Sequence, residues 1–162
     1  MKIKIIKFIF LFNLFFISYT YTLSYDNSAI KTMLLINDAN KIIPNKDPYA
    51  IVNILTKVKE KMEDVSFKNL NYIQLIQIFN LITENIDTSQ QSVQLVLFDL
   101  LKLIIDKIQN SLIYFSKNEE LKKLLLSFIN KIQKTFPEIK TKKRNMILKF
   151  KKDLENISYN LS

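Results

Sequence analysis

The chain of 162 residues is 48% apolar and 24% charged, carries a formal net charge of +9, and contains no Gly, Cys, His or Trp. Without Gly there is no phosphate-cradling loop, nucleophile elbow or Asn-Gly hairpin, because each needs backbone angles or a close approach that only Gly allows cheaply. Without His or Cys there is no Ser-His-Asp triad, thiol nucleophile, zinc finger, iron–sulfur cluster or disulfide, so neither a cofactor nor catalysis is expected.

Ile occurs 25 times, Lys 23 and Asn 16, against three Ala and one Arg. This bias matches AT-rich codons, as in the genomes of many intracellular parasites and endosymbionts, so the missing Gly reflects codon usage before it reflects structure. Charge is unevenly spread. Residues 25–130 balance twelve Lys against twelve carboxylates, whereas residues 131–162 carry nine cations against three carboxylates, a net +6.

The N-terminus reads as a cleaved secretory signal over residues 1–24. Lys2, Lys4 and Lys7 form a basic start, Phe8 to Ile17 is an unbroken run with only Asn13 polar, and small polar residues follow up to a favoured cleavage at Ser24. An uncleaved anchor is the alternative, opposed by Lys4, Lys7 and Asn13. Secretion without disulfides leaves residues 25–162 to be held by burial as a single α-helical domain.

The spacing of apolar residues after the leader is helical throughout, punctuated by Ser, Thr, Asp and Pro. A first helix is expected from Ser28 to Ile43, ended by Pro44. Asp47-Pro48 is a start signal, a capping carboxylate followed by a residue suited to the first turn. The second helix places Ile51, Leu55, Val58, Met62 and Val65 on one stripe. Ser66 is the expected cap of a third helix running to about Ile86, apolar on most faces and therefore central. Asp87 to Ser89 precede one long fourth helix, Gln90 to Phe115, on which Asp99, Lys102 and Asp106 share a solvated edge. Ser116 and Glu119 form a capping box for a fifth helix to about Lys134. Thr135, Pro137 and Glu138 repeat that pattern for a basic amphipathic sixth helix, about 136–159.

That last helix carries the only marked functional signal. Phe136, Ile139, Met146, Ile147, Phe150, Leu154, Ile157 and Leu161 share about a third of its circumference. Lys140, Lys142, Arg144, Lys149, Lys151 and Lys152 occupy the remainder, and Lys143 interrupts the apolar stripe. Such a helix can dock with a partner protein or lie on an anionic membrane or lipid, and its bland reading is a stripe that completes the bundle with solvated lysines. Nucleic acid is not expected, because a single Arg offers little bidentate recognition and a secretory leader directs the chain elsewhere.

Other polar features read as structural. Glu60, Glu63 and Asp64 lie among Lys57, Lys59 and Lys61 and pair at the surface, and no metal site is expected there. Gln74, Gln77, Asn80 and Gln94 lie within the most apolar helices, as a polar edge or as register-fixing amides at a chain–chain contact. Sequons at Asn156 and Asn160 read as coincidental in an Asn-rich chain.

The expected fold is all-α, a single bundle of five or six helices with antiparallel neighbours joined by short connections. The expected function is a secreted, non-catalytic, effector-like or surface-associated protein that binds an unidentified protein partner or forms a homo-oligomer. Its expected place is the secretory pathway, then the exterior, the cell surface or a parasite-vacuole-like compartment. A lipid-binding or membrane-peripheral role is the alternative.

Overall fold

A computed structural model describes residues 30–43, 47–139 and 143–161, and the leader and its cleavage region lie outside them. Those residues fold as an all-α bundle, with no strand among them. Helix α1 spans residues 30–42, followed by α2 (Pro48–Glu63), α3 (Tyr72–Thr83), α4 (Gln91–Gln109), α5 (Leu112–Ser116), α6 (Glu119–Thr135) and α7 (Arg144–Leu161).

The Asp47-Pro48 signal acts as expected. Tyr49 N donates to Asp47 Oδ1 at 3.0 Å, satisfying one orphan amide, and Pro48 occupies the first turn. Ile51, Leu55, Val58, Met62 and Val65 are all buried, although Val65 lies beyond the end of α2.

Three other helix starts fall elsewhere than the sequence suggests. Ser66 makes no capping bond and precedes a 3-10 turn, Phe67–Asn69, while α3 is opened by a reciprocal box between Asn71 and Gln74. The expected fourth helix is divided, because α4 stops at Asn110 and a separate short α5 begins after Ser111. Helix α6 is capped by Asn118, whose side-chain oxygen accepts from Glu120 N and Leu121 N, whereas Ser116 Oγ donates back to Ile113 O at 3.1 Å. Asn accepts from the first-turn amides as well as Ser does, so in a chain with 16 Asn these caps compete with the nearby serines.

The final helix also starts late. Thr135 continues α6, its Oγ1 donating to Lys131 O, and Pro137 sits in a 3-10 turn, Phe136–Glu138. Helix α7 begins only at Arg144, so Lys143 precedes it and does not interrupt its stripe.

Helix α4 is the central element. Val93, Leu97, Phe98, Leu100, Leu101, Ile104, Ile105 and Ile108 are buried, and α4 packs on α2 most extensively, then on α7 and α3. Lys107, near the end of α4, bonds the carbonyl of Glu63 at the end of α2 and that of Val65 just beyond it, so these two helices run in the same direction. Helix α3 makes the return between them and packs chiefly on α6. It is less central than its composition suggests, since Tyr72 and Ile73 in its first turn are exposed.

Aromatic pairs join the layers. Phe79 of α3 stacks on Phe128 of α6 with centroids 4.3 Å apart, and Phe67 meets Phe79 and Phe115 edge-on. Phe150 of α7 meets Phe98 of α4 edge-on at 5.9 Å and lies beside Phe136 at 6.4 Å. Each such pair contributes about 0.5 to 1.5 kcal/mol beyond its buried area.

Candidate interaction surface

The apolar stripe of α7 is largely consumed by the bundle. Phe150, Leu154, Ile157 and Leu161 are buried, Met146 and Ile147 are half-buried, and Phe136 and Ile139 are buried beside them in the preceding turn. Lys143, Arg144, Lys149, Lys151 and Lys152 are exposed on the outer side, while Lys140 and Lys142 lie outside the described residues. The helix is therefore a fixed wall of the bundle that presents cations outward.

Its N-terminal end is electrostatically unusual. Lys143 contributes the carbonyl that accepts from Met146 N and Ile147 N, at 2.9 and 3.3 Å, and Arg144 is the first helical residue. The first turn contains no carboxylate. The helix macrodipole is already positive there, so the cation of Arg144 strengthens a local field that favours an anion and costs the helix some stability. Arg144 and Lys151 form no ion pair among the described residues.

Beside this end lies a groove of about 480 Å³, lined by Gln133, Phe136, Pro137, Ile139, Arg144, Ile147, Leu148 and Lys151. The turn after α6 makes its far wall, with Phe136 held by its contact with Phe150. Leu148 is 59% exposed at the rim, off the buried stripe, with Arg144 one helical turn before it and Lys151 one turn after. Among the described residues, two cations and five apolar side chains thus meet at one concavity. The sequence reading finds the cations but misses the groove, for which Leu148, an apolar residue on the basic side, is the available signal.

Two smaller concavities differ in character. One of about 170 Å³ between α4 and α7 alternates Lys102, Asp106, Lys149 and Asp153 around Ile105 and Phe150. The other surrounds Lys107 at the end of α2. Its Nζ donates to Glu63 O at 2.9 Å and Val65 O at 2.7 Å. Burial lowers the Lys107 pKa below the ordinary lysine value, with Asp64 and Glu63 opposing that shift.

No family model matches the sequence, and comparison with curated proteins and with solved structures gives no match. Glu60, Glu63 and Asp64 are exposed, and no group of three potential metal ligands occurs among the described residues. Gln94 is buried and its Nε2 donates to Thr88 O at 3.2 Å, closing the turn before α4, while Gln74 belongs to the α3 cap. Gln77 and Asn80 are half-buried. No helix among the described residues is long and apolar enough to cross a membrane.

Proposed function

We propose that this chain is a secreted, non-catalytic helical protein that binds a protein partner through the outer side of α7 and the groove at its N-terminal end. The observation that carries this reading is the meeting of Arg144, Lys151 and Leu148 at one concavity among the described residues. Cations placed at a positive helix end oppose folding stability, so their presence is better accounted for by what they bind. The residue set supports a binding role over catalysis, since a chain without His or Cys lacks the usual nucleophile-activating groups. The basic start and apolar run of residues 1–24 support secretion.

A membrane-lying α7 is less well supported, because insertion uses the apolar face of an amphipathic helix and here that face packs in the core. Pull-down from extracts of the surfaces the protein meets is expected to recover a stoichiometric partner, with liposome flotation in low salt negative. An inert monomer that recovers nothing, or one that floats with anionic vesicles, contradicts the reading. Sequencing of secreted material is expected to start after Ser24, and a native Met1 contradicts secretion by cleavage.

A further inference from the structure

Resting on the partner-binding reading, we infer that the groove between the turn after α6 and the first turns of α7 takes an acidic segment of the partner. A bulky apolar side chain of that segment enters between Phe136, Ile139, Ile147 and Leu148, and carboxylates flanking it meet Arg144 and Lys151.

The size, the charge and the shape agree on this occupant. At about 480 Å³ the groove lies within the range of roughly 300 to 1,000 Å³ typical of ligand pockets, room for an anchoring side chain and adjoining backbone. Its lining includes two cations, and neither is paired among the described residues. The positive end of α7 adds to their field, so acidic chains are attracted and basic ones repelled. The planar guanidinium of Arg144, the chain's only Arg, suits a carboxylate through two parallel bonds.

Other occupants fit less well. A bilayer surface can meet the cations but cannot reach into a concavity whose floor, Phe136 and Ile139, is buried. A second copy of this chain approaching by the same side brings a segment of like charge, since residues 131–162 carry a net +6. An acidic peptide with one large apolar residue satisfies both the floor and the rim.

Selection of short random displayed peptides on the full protein provides the test. Enriched peptides are expected to combine several Asp or Glu with one Phe, Leu, Ile or Met, and to shift the methyl resonances of Ile147 and Leu148. The double variant Arg144→Glu, Lys151→Glu is expected to weaken such a peptide by at least about ten-fold, Leu148→Ser to weaken it without altering its salt dependence, and Arg144→Lys to retain most binding. These sites are exposed, so unchanged circular dichroism and a melting midpoint no lower than that of the wild type identify folded variants. Peptides without acidic bias, methyl shifts elsewhere, or equal binding to the double variant overturn the proposal. So does protection of the same methyls by phosphatidylserine vesicles in place of peptide. A pulled-down partner that binds the double variant as well as the wild type overturns the groove while leaving partner binding in place. Absence of any partner for the wild type overturns partner binding itself.

Discussion

Lys107 Nζ donates to the carbonyl oxygen of Val65 at 2.7 Å, and to that of Glu63 at 2.9 Å. The last carbonyls of a helix lack intrahelical donors, and a cation there complements the negative end of the macrodipole. A side chain from α4 therefore closes α2 across more than forty residues of sequence, and fixes the two helices in parallel. Lys107→Met, which keeps the apolar stem, is expected to lower stability by about 1 to 2 kcal/mol in urea unfolding, discounted for the partial exposure of the ammonium. No change would show that water serves these carbonyls equally well.

The same lysine gives a pH dependence of defined sign. Its folded-state pKa is lowered, chiefly by burial, so between that value and the ordinary lysine value the unfolded chain holds more protons than the folded one. Stability contributed at this site therefore rises with pH across that alkaline window. The difference in unfolding free energy between wild type and Lys107→Met is expected to grow as pH rises through it. A difference that shrinks would contradict the dominance of burial over the attraction of Asp64 and Glu63.

The helix starts allow a paired comparison. Asn118→Ala is expected to lose about 1 kcal/mol, because two amides of α6 lose their acceptor, while Ser116→Ala stays within about 0.5 kcal/mol. Likewise Asn71→Ala exceeds Ser66→Ala. Denaturation midpoints in which the serines matter more would move the caps back to where the sequence alone places them.

The stack of Phe79 on Phe128 is the closest aromatic contact among the described residues and joins α3 to α6. Both rings are buried, so Phe128→Ala leaves a cavity and is expected to cost about 3 to 5 kcal/mol. Phe128→Leu, which keeps most of the volume, is expected to cost markedly less. Equal losses would mean that the site does not depend on filled volume.

Much of this architecture is legible in the sequence, and what escapes has identifiable causes. Asp47-Pro48 and the stripe from Ile51 to Met62 are legible because cap, proline and periodicity agree. The break at Asn110-Ser111 is not, because Ile108, Leu112 and Phe115 keep helical spacing across it. Asn71 and Asn118 are obscured by the abundance of Asn and the proximity of serines. Parallel packing of α2 on α4 is a tertiary choice that short connections between successive helices do not specify. The cations of α7 are plain in the sequence, but the groove needs the turn at Phe136–Glu138 to bring Phe136 opposite Leu148, and that turn reads as the start of a helix.

Arg144, which opens α7, serves a partner at the expense of the helix on the proposed reading. Arg144→Glu tests it with two readouts on one protein, the melting midpoint and the affinity for a groove-selected acidic peptide. Stability is expected to be unchanged or raised by about 0.3 to 1 kcal/mol, since a carboxylate suits a helix N-terminus, together with binding weakened by about ten-fold or more. A variant that melts lower, or that binds the peptide as well as the wild type, would contradict it.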